Sequence, residues 1–309
     1  MQKKPVEYVI ILLKGMGMGA ADVVPGVSGG TIAFITGIYE ELIHSIKSID
    51  STALKLFFSG KWKSFWKHIN GNFLLAVFSG IAVSVISLAH LLEHLLETQP
   101  VLIWSFFFGL ILVSSYIVAR RIKAWDYSRV VMLVFGIGVA FYITSVTPAE
   151  TTTDSWFIIL SGMLASCAMI LPGISGSFIL LLLGKYEFAL NAISTVDIVS
   201  IVFLGIGAVA GLLSLSKILS WLFKKYHDTT VAVLAGFMIG SLNKIWPWKE
   251  TVKSVVIEGV EKPLVEKNIL PSLYNADDQL IWAILLMLFG IGVILAFDLL
   301  FPSKEKDEE

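Results

Sequence analysis

The chain has 309 residues, 56% of them hydrophobic, and a mean hydropathy of +0.81, which is far more apolar side chain than a water-soluble globule of this size carries. A formal net charge of −1 argues against a nucleic-acid partner, and the single cysteine, Cys167, lies in an apolar run, which excludes a disulfide framework. A bilayer is the expected solvent.

The N-terminus is short and polar, and no small-residue cleavage site follows it, so the first apolar segment is expected to be retained. That segment runs into Gly17-Met18-Gly19-Ala20-Ala21-Asp22-Val23-Val24-Pro25-Gly26-Val27-Ser28-Gly29-Gly30-Thr31, where a Pro-Gly pair interrupts it. We expect a helical hairpin over 6–46 that turns there and ends beyond Gly37-Ile38-Tyr39-Glu40. Over 47–70, Phe57, Phe58, Trp62, Phe65 and Trp66 interleave with lysines, the pattern of a basic amphipathic helix lying on a membrane surface. Three spans are then expected at 73–92, 101–119 and 130–146, each long enough to cross ~30 Å of hydrocarbon as a helix.

Pro172-Gly173-Ile174-Ser175-Gly176-Ser177 and Gly184-Lys185-Tyr186-Glu187 repeat the first motif pair at one fixed offset. The echo continues: Phe203-Leu204-Gly205-Ile206 answers Phe78-Ser79-Gly80-Ile81, and Phe289-Gly290-Ile291-Gly292-Val293 answers Phe135-Gly136-Ile137-Gly138-Val139. The chain therefore reads as two copies, 1–150 and 151–309. In the second copy the hairpin covers 155–195, with spans at 198–223, 230–245 and 281–301. The polar stretch 247–279 carries Pro247, Pro263 and Pro271 without a hydrophobic period and is expected to be an external loop.

Lys and Arg collect at the N-terminus, 47–67, 120–129, 224–225 and 304–306, which puts both termini in the cytoplasm. Three spans per copy is an odd number, so the second copy enters from the opposite face. The fold expected is an all-α polytopic membrane protein with an inverted-topology repeat, six transmembrane helices and two re-entrant hairpins, the alternative being ten spans. Re-entry is preferred because broken helices are tolerated at membrane depth where they are buried or line a cavity.

The two turns are the candidate site. Glycines let backbone approach a ligand, and a Ser N-cap opening a helix presents N–H donors and a positive dipole end to an anion. The expected binding residues are Gly26, Ser28, Gly29, Gly30 and Thr31 with Gly173, Ser175, Gly176 and Ser177. Their structural alternative is close helix packing in lipid. Asp22, a carboxylate at membrane depth whose counterpart is Met169, is expected either to exchange a coupling proton or to cap backbone donors. Tyr39-Glu40 and Tyr186-Glu187 are candidates for gating at the two mouths or for interfacial anchoring. Arg120 and Arg121 could receive a headgroup, although topology alone would account for them. His90 and His94 stand at i and i+4 without a third ligand, so no metal is expected, nor a cofactor beyond a coupling proton or sodium ion.

Together, Gly19 through Thr31, Gly37-Ile38-Tyr39-Glu40 and Leu171 through Ser177 resemble the motifs of the bacterial polyprenyl-phosphate (undecaprenyl-phosphate) transporter family, long catalogued as an uncharacterised membrane domain. The resemblance implies a flippase in the plasma membrane. It would return undecaprenyl phosphate, the lipid carrier of cell-wall synthesis, from the outer to the inner leaflet. A small-anion or ion carrier is the nearest alternative. A lipid-pyrophosphate phosphatase fits less well: its turns continue with Arg after Ser, whereas glycine follows both Ser28 and Ser175 here.

Overall fold

A computed structural model of the chain describes residues 3–24, 27–149, 151–257, 260–274 and 279–300. Helix α1 (Pro5–Val23) begins at a proline, whose missing N–H costs nothing at that position, and the Glu7 carboxylate accepts from the Lys4 amide at 2.8 Å. After the break come α2 (Gly29–Ile35) and α3 (Tyr39–Lys47). The corresponding second-half elements are α9 (Ser155–Ile170), α10 (Gly176–Leu182) and α11 (Tyr186–Ser194). A long helix, a seven-residue helix and a nine-residue helix thus follow each other twice.

The glycine of each Gly-x-Tyr-Glu element ends its short helix. Gly37 has φ 72° and Gly184 φ 61°, the left-handed conformation in which glycine carries no Cβ penalty. Gly37 N–H donates to Phe34 and Ile38 N–H to Ala33, and Gly184 and Lys185 repeat this with Leu181 and Leu180. That paired pattern satisfies the last carbonyls of a helix and turns the chain into the next one. The turn is sharp: α10 and α11 meet at 110°.

The remaining helices are α4 (Ser51–Phe58), α5 (Trp62–His68), α6 (Gly71–Thr98), α7 (Pro100–Ala119), α8 (Tyr127–Ser145), α12 (Ile198–Ser241) and α13 (Leu280–Leu300). Four close pairings organise them: α1 on α6, α9 on α12, α8 on α12 and α13 on α7. Small residues permit these crossings. A Cβ on Gly136 would stand 2.4 Å from the Val233 carbonyl, and one on Gly290 would stand 2.3 Å from that of Phe106, whereas Gly138 and Gly292 face open space.

Among the described residues, α6, α7, α8, α12 and α13 contain stretches long and apolar enough to cross a membrane, and the bent α10–α11 pair is a sixth candidate. The molecule is a mostly helical, multi-pass membrane protein. Helix α12 has 44 residues with non-helical torsions at Tyr226. The kink at Tyr226 joins two helices, the first covering the span expected at 198–223 and the second, ending at Ser241, most of the span expected at 230–245. Large apolar side chains remain exposed along the outer helices, Ile281 at 73% and Phe289 at 60%, as a lipid-facing belt requires.

Two expectations are corrected. The single surface helix over 47–70 is instead α4 and α5, divided at Gly60 with φ 69°; the same C-terminal glycine pattern, Gly60 to Phe57 and Lys61 to Leu56, stops α4. The stretch 247–279, expected to be a loop in an all-α fold, contains an antiparallel hairpin of β1 (Lys249–Ile257) and β2 (Val260–Asn268), with Lys249 opposite Asn268. The β-branched Thr251, Val252, Val255, Val256 and Ile257 favour strand, and an irregularity near Lys253 blurs the period of two that would have revealed it.

Candidate functional site

The two helix breaks meet in the buried core. Helix α2 packs against α9 and α7, and its seven residues are all buried. Ser28, its N-cap, accepts from Gly30 N–H at 3.1 Å and directs its own hydroxyl to the Leu171 and Met169 carbonyls at 3.2 and 3.3 Å. Thr31 Oγ1 accepts from Gly173 N–H at 2.9 Å. Tyr39, 2% exposed, donates its hydroxyl to the Ile170 carbonyl at 3.1 Å. Helix α9 therefore ends with carbonyls capped by side chains of the other half. The fit leaves no room for a side chain at Gly30, whose Cβ would stand 2.6 Å from Ile170 O.

Asp22 closes the start of α2. Its Oδ1 accepts from Gly29 N–H at 2.7 Å, and Thr31 N–H donates to Ser28 O at 2.9 Å. The first three amides of α2 are thus all engaged within the chain, where open donors were expected. The start of α10 differs. Ser175 Oγ accepts from Phe178 N–H at 3.3 Å and lies 2.7 Å from Ser177 Oγ, while the Gly176 and Ser177 amides find no partner among the described residues. Gly173, at φ 91°, makes the turn before it; Gly26 lies outside the described residues.

Cations gather at the opposite end of α2. Lys14 Nζ donates to Thr36 O at 2.6 Å, and Arg121 donates to Ile35 O at 3.1 Å while lying over the Phe34 ring at 5.7 Å. A carboxylate at the start and two cations at the end of one short helix match its dipole. Arg120 is exposed and lies 5.8 Å from the Tyr116 ring centroid, so of the two arginines only Arg121 faces the hairpin. Lys14 was missed as a site residue, although a lysine in the middle of an apolar helix is itself a signal.

The mouth residues separate. Glu40 is exposed and pairs with His227 at 3.1 Å, beside Asp228 and Arg129. Tyr39 instead turns inward to the second break. Tyr186 is half-buried and Glu187 exposed, and neither bonds to a break among the described residues.

A cavity of about 320 Å³ opens at the other end of the molecule, between the ends of α8 and α12, Phe178 and Leu182 of α10, and the β-hairpin. Lys244, Lys249 and Lys267 line it with one carboxylate, Glu266.

Residues 18–262 match the family described as undecaprenyl phosphate translocase-like. The chain is 46% identical over 303 residues to the polyprenyl-phosphate transporter of Vibrio cholerae serotype O1 (strain ATCC 39315 / El Tor Inaba N16961), covering 96% of this chain and 98% of that protein. It is 35% identical over 256 residues to the polyprenyl-phosphate transporter of Staphylococcus aureus (strain NCTC 8325 / PS 47), covering 77% and 86%. Both relatives are named as transporters, not as enzymes. No solved structure matches the chain.

Proposed function

Because the chain belongs to the undecaprenyl phosphate translocase-like family, we propose that it carries polyprenyl phosphate across a bacterial plasma membrane, returning undecaprenyl phosphate from the outer to the inner leaflet for cell-wall synthesis. The observation that carries this reading is the interlock of the two broken hairpins, through Ser28 to Leu171, Gly173 to Thr31 and Tyr39 to Ile170. A carrier needs non-helical backbone in its protein-lined centre, where a headgroup can be bound and released.

The halves, 1–150 and 151–309, form an inverted repeat of six spans and two re-entrant hairpins, with both termini cytoplasmic. The recurrence of one helix pattern at α1–α3 and α9–α11 supports this, as does the exchange by which α8 packs on α12 and α13 on α7. Helix α12 then supplies two spans, divided at Tyr226.

The phosphate is bound at the start of α10 by the Gly176 and Ser177 amides and the Ser175 hydroxyl. Backbone donors and hydroxyls hold an anion loosely enough for release. The start of α2 is a second, conditional position: the Asp22 carboxylate occupies the place of an anion at Gly29 and repels one. Proton uptake by Asp22 removes that charge and weakens its hold on the Gly29 donor. Phosphate and proton then favour the same state, which couples lipid movement to a proton gradient. On the cytoplasmic side Lys14 and Arg121 attract the departing headgroup, and the Glu40–His227 pair closes the mouth.

Depleting the protein in growing cells tests the reading. Polyprenyl phosphate should accumulate on the outer surface, as measured with an impermeant phosphate-directed probe, and an unchanged leaflet distribution would exclude the assignment.

A further inference from the structure

We propose that the cavity between the β-hairpin and the ends of α8, α10 and α12 is a phosphate-group binding site, the vestibule that captures the anion before it reaches the buried breaks. This deepens the transport reading and rests on its orientation, with the hairpin outside. Nothing in the two turn motifs predicts this site, because its charged residues come from just beyond α12 and from the β-hairpin.

The charge imbalance carries the inference. Lys244 Nζ and Lys249 Nζ both contact Glu266 Oε2, at 3.1 and 3.5 Å, and Lys267 lines the same space. Two ammonium groups thus share one carboxylate, while Lys267, exposed and opposite Glu250 in the strand pairing, adds a cation at the rim. Holding the hairpin against the helices would need one ion pair. A surplus of one positive charge on the largely buried Lys244–Lys249–Glu266 group is costly unless an anion joins it. A phosphate monoester, with between one and two negative charges near neutral pH, balances that surplus.

The surroundings fit a headgroup better than they fit bulk solvent. Lys249 lies 3.9 Å from the Trp104 ring centroid, and its side chain is 7% exposed. Lys244 lies over the ring of Phe178, in the first turn of α10, at 5.2 Å. A charge held over these rings is fixed in place rather than swept through solvent. Phe178 is also where the cavity joins the second hairpin: its own N–H donates to Ser175 at 3.3 Å. The cavity thus borders the very turn at which the transport reading binds phosphate. Asn268, held by the Asn243 carbonyl at 2.8 Å, stands at the same wall and adds a polar rim.

The ligand chemistry has two sources, a lipid headgroup or free phosphate, and the binding experiment separates them. Purified full-length protein in detergent is titrated with farnesyl phosphate, with inorganic phosphate and with farnesol, for the unaltered chain, Lys244→Gln, Lys267→Gln and Lys244→Arg. Farnesyl phosphate should bind, farnesol should not compete, and each Gln variant should weaken binding by about tenfold, the effect of losing one charge-assisted hydrogen bond. Lys244→Arg should restore most of the affinity. Inorganic phosphate binding as tightly as farnesyl phosphate, with the same sensitivity to Lys244→Gln, would support the cavity with free phosphate as its ligand. Unaltered affinity for both anions in both Gln variants, with melting temperature preserved, overturns the proposal. Failure of the transport reading is distinct: it shows as absent polyprenyl phosphate movement by the unaltered protein, whatever the variants bind.

Discussion

Asp22 accepts a 2.7 Å hydrogen bond from the Gly29 amide, bridging the break between α1 and α2. A Cβ at Gly29 would come within 2.5 Å of the same carboxylate, so position 29 has room only for glycine. Asp22→Asn keeps an oxygen for the Gly29 donor and removes the titrating group. The variant should fold and insert normally, by size exclusion and thermal melting, yet lose transport driven by an imposed proton gradient. Full gradient-driven transport by Asp22→Asn would rule out the proton role.

Tyr39→Phe deletes the hydroxyl that caps Ile170 and leaves a buried carbonyl unpaired. The expected cost is about 1–3 kcal/mol, read as a lowered melting temperature. Gly30→Ala should be worse for function than for folding, since a methyl 2.6 Å from Ile170 O pushes the hairpins apart. Slow transport with modest thermal destabilisation is the expected signature.

Gly37→Ala and Gly184→Ala place a Cβ in the left-handed region, at φ 72° and 61°. Each should destabilise by about 1 kcal/mol, and by similar amounts, because the two turns use the same hydrogen-bond pattern. Gly138→Ala, where the added Cβ meets nothing, is the control and should leave the melting temperature unchanged.

The external hairpin carries a pH dependence. Burial pushes the Lys249 ammonium down to about 8, with Glu266 opposing the shift and Lys244 adding to it. Glu266 is itself held below the usual carboxylate range: burial raises it, but Lys249 and then Lys244 outweigh that. Lys267 also lines the cavity. The folded value for Lys249 lies below its ordinary 10.5, so between about 8 and 10.5 the unfolded chain binds the extra proton, and this group's contribution to stability rises with pH across that window. Anion binding should move the other way and weaken as pH passes 8. Comparing farnesyl phosphate affinity at pH 7 and pH 9 checks the sign, and Lys249→Met should flatten the difference.

Much of the helical plan was legible because hydrophobic blocks and Pro-Gly-x-Ser-Gly motifs are strong local signals. The breaks at Ser28 and Ser175 stand where those motifs put them, each with its serine as N-cap. What pairs with what across the molecule was not legible. Tyr39 reads as an interfacial anchor from its residue type, but only three-dimensional packing shows it turned inward to Ile170. Capping by Asp22 was one of its two expected roles, but the amide it closes was not legible, because a cap seven residues away does not follow the usual N-cap spacing. The packing glycine of α12 illustrates register: Gly207 lies against Ile159 as Gly80 lies against Leu12, while Gly205, chosen by the sequence echo, faces open space. The cavity residues Lys244, Lys249 and Glu266 come from separate segments that carry no shared motif.

Reconstituted transport is the most direct test. Purified protein in sealed liposomes is supplied with labelled polyprenyl phosphate in one leaflet, under a proton gradient and, separately, a sodium gradient. Polyprenyl phosphate should change leaflet faster than in protein-free liposomes, with the proton gradient driving it and Asp22→Asn abolishing that drive. Leaflet exchange no faster than in protein-free liposomes, with correctly folded protein present, would contradict the transport assignment itself.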